Sequence, residues 1–191
     1  MIDLGNKKLI LASQSPRRKE LLKGLGFDFE VRTKDTNEDF PINLDPSEVA
    51  GFLSAKKAAA FAHEIGPNEI VLTSDTVVIL DGKILGKPSN QEEAYEMLSG
   101  LSGKTHLVTT GVTFLTLEKE LTVSDTAKVF FKELSKSEIE YYIANFRPFD
   151  KAGGYGIQEW IGFVGVEKIE GSYFTVMGLP IHLVYHILKN W

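Results

Sequence analysis

Ile70-Val71-Leu72-Thr73-Ser74-Asp75-Thr76-Val77-Val78-Ile79-Leu80, followed by Asp81-Gly82 and Lys83-Ile84-Leu85, decides the fold. Two apolar runs of strand length flank a short polar centre. Asp-Gly is a hairpin turn signal, so Lys83 to Leu85 returns antiparallel to the run before it. Asp75 stands between the apolar runs, either at a strand junction or nearly buried. A buried carboxylate is costly unless Lys, Arg or a metal lies close, or unless it is protonated. The plainer alternative is a carboxylate that accepts from turn N–H groups. The flanking apolar residues leave little room for an ordinary surface turn.

Upstream, Leu9 to Ala12 is a short apolar run that reads as a buried strand. Ser15-Pro16 then starts a helix, with Ser as N-cap and Pro at the first helical position. Leu21, Leu22 and Leu25 give it an apolar side. Its first turn holds Arg17, Arg18 and Lys19, cations at the helix end where carboxylates are normally preferred. An anion bound at that terminus would account for them. Solvated surface cations are the alternative, and this stretch does not choose.

Further out, Phe27 to Val31 alternates as a strand, and residues 32–45 form a polar, acidic loop containing Glu38. Asp45-Pro46-Ser47-Glu48 opens a helix expected to reach about His63. Its apolar face centres near Val49, Leu53 and Ala60. Lys56 falls close to that face and Lys57 at its edge, and periodicity does not say which reaches inward. Gly86-Lys87-Pro88 pins a lysine in a constrained loop, suited to a phosphate contact but equally a surface lysine. A helix from Asn90, strands over Lys104–Leu117 and Leu121–Phe131, and a capped helix from Ser135 to Asn145 follow. Ala152-Gly153-Gly154-Tyr155-Gly156-Ile157-Gln158 permits close backbone approach to a ligand, and Gln158 offers both a donor and an acceptor. Phe163 to Ile169 reads as a strand, and a C-terminal helix follows Leu179-Pro180. His182 and His186 are four apart, but Leu183 stands where a zincin motif needs Glu. His63 and His106 have no visible acid–base partner. Interleaved helices with some hairpin-paired strands predict an α/β domain with a mixed, partly antiparallel sheet flanked by helices.

The 191 residues suffice for one large domain, taken as 1–191. A net charge of -5 argues against a general nucleic-acid surface, while leaving room for local basic clusters. There is no cysteine, so disulfides and thiolate metal sites are excluded and a cytoplasmic setting is natural. No apolar run approaches a membrane span.

Several of these stretches together resemble the Maf family of nucleoside triphosphate pyrophosphatases. The matching pieces are Leu11-Ala12-Ser13-x-Ser15-Pro16-Arg17-Arg18-x-Glu20-Leu21-Leu22, Glu38, Lys57-Ala58, Ser74-Asp75-Thr76-Val77-Val78 and Gly86-Lys87-Pro88. Ser102-Gly103-x-x-His106, Asp150-Lys151-Ala152-Gly153-x-Tyr155-Gly156-Ile157-Gln158 and Gly171-Ser172-Tyr173 continue the pattern towards Pro180. The resemblance implies a fold similar to inosine triphosphate pyrophosphatases, with two lobes and a cleft. It implies hydrolysis of a nucleoside triphosphate to the monophosphate and pyrophosphate with a divalent metal, Mg²⁺ or Mn²⁺, and a homodimer. The general base falls on Asp75, and Glu38 and Asp75 fall on the metal positions. Ser13, Arg17, Arg18, Lys57 and Lys87 match substrate-binding positions, so the resemblance selects Lys57 over Lys56. Arg17, Thr76 and Gln158 resemble the dTTP/UTP subgroup rather than the one acting on 7-methyl-GTP. Trp160-Ile161-Gly162 departs from the family's smaller glycine-containing stretch. The competing expectation is a non-catalytic nucleotide-binding regulator of septum formation, which would need the anion site but not Asp75.

Overall fold

The computed structural model describes residues 4–191. A seven-stranded sheet runs in the order β2-β1-β3-β5-β6-β7, with β4 paired to β3. β1 (Lys8–Leu11) lies parallel both to β2 (Phe29–Val31) and to the start of β3 (Glu69–Leu80). The end of β3 pairs antiparallel with β4 (Lys83–Leu85) across the Asp81-Gly82 turn. Both turn residues have positive φ, as this two-residue turn requires. β5 (Thr105–Leu115) and β6 (Glu120–Phe131) are neighbours joined by a turn closed by Thr116 N–H on Lys119 O, 2.8 Å. β6 pairs antiparallel with β7 (Val166–Glu170). The mixed sheet expected from the sequence is present.

β3 is one unbroken strand, and Asp75 sits inside it rather than in a turn. β1 pairs with it in parallel as far as Leu11 with Leu72, and β4 pairs with it antiparallel from Val78 with Leu85. Asp75 lies between the stretch of β3 paired with β1 and the stretch paired with β4.

Sheet and helices divide into two compact units. One comprises the chain up to Asp75, Thr110–Asp125 and Gly178–Trp191; the other comprises Thr76–Thr109 and Thr126–Met177. In the first, Ile10, Val71 and Leu115 of the sheet pack with Ala58, Phe61 and Ile65 at the end of α2 (Pro46–Ala59) and just beyond it. This helix lies very close to β5. A Cβ built on Gly111 would stand 2.4 Å from Ala50 O, so no side chain fits there. In the second unit, α3 (Gln91–Leu101) buries Ala94, Leu98 and Leu101, and α4 (Lys136–Phe146) buries Ile139, Tyr142 and Ile143. Ser135 and Glu138 form the full capping box at the start of α4.

Two expectations are corrected, and one short helix is added. α2 stops at Ala59, and the chain continues to Glu64 in turns with i→i+3 bonds such as Ala62 N–H to Ala59 O. The strand expected over Phe163–Ile169 begins only at Val166, because Trp160–Gly165 is a helix, α5. Ile161 is buried by it, and a Cβ on Gly162 would overlap Ile157 O at 1.9 Å, so the departing Trp160-Ile161-Gly162 segment is packed tightly onto the preceding loop. Tyr173–Met177 is a further short helix, α6, before the expected C-terminal helix α7 (Ile181–Lys189). Helices of five or six residues show too little of a 3.6-residue period to be read from sequence.

Candidate active site

α1 (Pro16–Gly24) begins as expected, with Ser15 Oγ accepting from Arg18 N–H at 3.4 Å and Pro16 in its first turn. Ser13 Oγ, largely buried, accepts from Ser15 N–H at 3.2 Å and so shapes the approach to the helix. The three cations of that turn do not share one role. Arg18 turns inward, its Nε donating to Gly178 O and its Nη1 to Ser74 O, each at 2.8 Å. Ser74 Oγ also donates to Gly178 O, at 3.0 Å. Arg18 thus ties α1 to β3 one residue before Asp75. Burial pulls the guanidinium below its usual pKa, and the carboxylate of Asp75 pushes back.

Asp75 is 7% exposed. Lys57 from α2 donates to Asp75 Oδ1 and, at 2.9 Å, to Glu38 Oε1 of the acidic loop. The inward lysine of α2 is therefore Lys57. Lys56 instead contacts Asn37 Oδ1 and Asp39 O, bracing the same loop. Arg18, Glu38, Lys57 and Asp75 form one electrostatic cluster, with a buried carboxylate compensated as its environment demands.

This donor set suits a divalent metal. Oxygens of Glu38 and Asp75 converge on a single cation, at present the ammonium of Lys57. Mg²⁺ is commonly held by one or two carboxylates together with substrate phosphates. Among the described residues no group of three or more His, Asp or Glu side chains is arranged to hold a metal, so an all-protein cage is absent there.

Thr76, Lys87 and Gln158 belong to the second unit. Lys87 is exposed in the loop after β4. That loop is tied to the glycine-rich segment by Gly153 N–H donating to Gly86 O, 2.9 Å. Gln158 is half-buried, in a turn closed by Glu159 N–H on Gly156 O, 3.0 Å.

Sequence reasoning missed the polar groups behind this loop. Tyr142, fully buried on α4, donates to Glu159 and accepts from Gly156 N–H at 2.9 Å. Lys151 bridges Glu159 at 3.0 Å and Asp150 at 2.7 Å. His106 does have a partner: its Nε2 lies 2.7 Å from Tyr155 Oη, with the rings of Phe131 and Tyr155 edge-on to it. Burial lowers the pKa of His106 to about 4. Nothing in one sequence marks a core-spaced tyrosine or a lone histidine as belonging to such a network.

The family model described as Maf-like protein matches residues 8–191. The chain is 50% identical over 98% of its length to the dTTP/UTP pyrophosphatase of Phocaeicola vulgatus, covering 98% of that protein. It is 51% identical to the dTTP/UTP pyrophosphatase of Flavobacterium johnsoniae, over 96% of this chain and 94% of that one. The Staphylococcus aureus Ham1 protein aligns with a TM-score of 0.49 and 15% identity, over 65% of this chain and 72% of that structure, a likeness too slight to bear on function. This chain belongs to the Maf family. Among the described residues no helix is long and apolar enough to cross a membrane.

Proposed function

We propose that this chain is a nucleoside triphosphate pyrophosphatase that hydrolyses dTTP and UTP to the monophosphate and pyrophosphate, as a house-cleaning enzyme. The observation that carries this reading is the nearly buried carboxylate of Asp75, held within β3 and bracketed by Lys57, Glu38 and Arg18. The names of its relatives support the substrate.

In this reading Asp75 orients a water and takes its proton as the water oxygen bonds to the α-phosphorus. The bond from that phosphorus to the bridging oxygen breaks, and pyrophosphate leaves opposite the attack. Glu38 and Asp75 would hold Mg²⁺ or Mn²⁺. Such an ion polarises phosphate oxygens and makes nearby water more acidic. An ordinary aspartate, with pKa about 3.9, is a weak base at pH 7, which is why that assistance matters. Arg17 and Lys87 offset phosphate charge, helped by the α1 terminus. Arg18 contributes its field while anchoring α1, and Ser13 sets the geometry of the entry turn. Lys57 keeps the two carboxylates together until substrate and metal arrive. Gln158 reads a pyrimidine edge by accepting from N3–H and donating to O4. Thr76 and Arg17, the other two subgroup-matching positions, would shape or hold the nucleotide.

A nucleotide panel tests the assignment. kcat/KM with Mg²⁺ or Mn²⁺ should be highest for dTTP and UTP, against dGTP, GTP and 7-methyl-GTP, with monophosphate and pyrophosphate as products. A purine nucleotide ahead by tenfold, about 1.4 kcal/mol in the transition state, would overturn the pyrimidine preference but leave the pyrophosphatase reading standing.

A further inference from the structure

Gly156, Ile157, Gln158 and Glu159 make a four-residue turn, closed by Glu159 N–H on Gly156 O at 3.0 Å. Gln158 occupies its third position. One hydroxyl holds both ends of this turn. Tyr142 Oη accepts from the N–H of the first residue, Gly156, at 2.9 Å, and donates to the carboxylate of the last, Glu159.

The clamp is built into the interior. The Tyr142 side chain is fully buried, and its position on α4 is fixed by packing beside Ile139 and Ile143. Burial and then the bond to Glu159 raise the phenol pKa, so the hydroxyl keeps the proton it donates. Glu159 is held from its other oxygen by Lys151, itself largely buried, at 3.0 Å. Ile157, the residue before Gln158, is buried as well. A Cβ at Gly156 would meet Glu159 Cδ at 2.8 Å and Lys151 Cε at 3.0 Å, so one of these side chains would have to shift. Of the turn's two central residues, one is buried and the other is Gln158. A side-chain amide on an ordinary exposed turn would sample many rotamers and orientations, at an entropic cost on binding. This one is carried on a turn whose backbone has no slack.

We propose that Tyr142 is a positioning residue that presents the Gln158 amide for base recognition, acting through Gly156 and Glu159. The inference rests on the reading of Gln158 as the group that contacts the pyrimidine. Tyr142 touches neither substrate nor metal in this scheme. Its loss changes which base is preferred and how tightly it is held, while the chemistry at Asp75 continues.

The test compares wild type, Tyr142→Phe, Gln158→Ala and the double variant, each with dTTP and dGTP at a temperature well below its melting point. Tyr142→Phe should lower the dTTP-over-dGTP ratio of kcat/KM by about tenfold, through a higher KM for dTTP with kcat changed by less than about threefold. Gln158→Ala should lower the ratio at least as much, and the double variant should be no worse than Gln158→Ala alone, because the two residues act in series. A normal ratio in Tyr142→Phe while Gln158→Ala loses selectivity would overturn the positioning role and leave the base-reading role intact. Additive losses in the double variant would also overturn it. A normal ratio in Gln158→Ala would instead remove Gln158 as the reader, and the inference with it. If Tyr142→Phe does not fold, Glu159→Ala carries the same comparison, since it removes the carboxylate by which the hydroxyl holds the end of the turn.

Discussion

The region around Asp75 and the region around Gln158 are organised by different forces. At Asp75 the partners are whole charges on separate elements: Lys57 from α2, Glu38 from the acidic loop, Arg18 from α1. At Gln158 the partners are a phenol, a backbone amide and a carboxylate, all acting on one short turn. Coulomb attraction is strong and tolerates small displacements, so the first arrangement can exchange one cation for another. Hydrogen bonds are short-ranged and directional, so the second holds one shape. A group that must release and rebind cations suits the first kind of support. A group that must discriminate suits the second.

That contrast breaks first at Asp75. Asp75→Asn should fold normally and reduce kcat by roughly 10²–10⁴, the range for loss of a general base. Chelation with EDTA should take turnover to background, restored by Mg²⁺ or Mn²⁺. Steady-state rates of the folded variant check the first, and near-normal turnover would remove Asp75 from the chemistry. Full activity in chelator would remove Glu38 from metal binding.

A smaller effect is expected at the turn. Gly156→Ala must push Glu159 or Lys151 aside, which should cost about 1–3 kcal/mol of stability, as overpacking does. Urea unfolding measures the loss. kcat for dTTP should fall far less than in Asp75→Asn, and a kcat collapse of equal size would erase the distinction between the two regions.

The smallest effect concerns acid. His106 is neutral when buried and titrates near its ordinary pKa, about 6.5, when unfolded. Between pH 6.5 and about 4 the unfolded chain therefore takes up the proton and the folded one does not. Stability contributed by this residue is complete above 6.5 and is lost as pH falls through that window. Urea midpoints should decline from pH 6.5 to 4.5 in wild type and stay flatter in His106→Gln. Parallel curves would show that His106 accepts a proton without unfolding.

Long elements with clean ends are legible: the apolar strands at Leu9 and Ile70, the Asp81-Gly82 hairpin and the capped helices at Ser15, Asn90 and Ser135 all announce themselves in local chemistry. So is the need of Asp75 for a cation, because two apolar runs enclose it. Lys56 and Lys57 were not separable, since neighbours on a helix differ by only about 100° and long stems blur that angle. The basic turn of Arg17, Arg18 and Lys19 reads equally as an anion site or as solvated cations, yet Arg18 spends two donor groups on backbone carbonyls, one of them Gly178, 160 residues away. No local pattern encodes a contact of that separation. Tyr142 was hidden for a related reason: its ring satisfies the helical core period, and the period says nothing about the hydroxyl.

The absent side chain at Gly111 has a consequence well beyond its own position. Ala50, which it faces, and Lys57 are seven residues apart on α2, two turns along the same side of the helix. The contact between Gly111 and the Ala50 backbone therefore acts as a reference stop, setting how far above β5 and β3 the helix stands. The reach of Lys57 to Asp75 is measured from that stop. An added methyl group at 111 would act as a shim, lifting α2 and lengthening the gap its lysine must span, although residue 111 itself makes no contact with a charge.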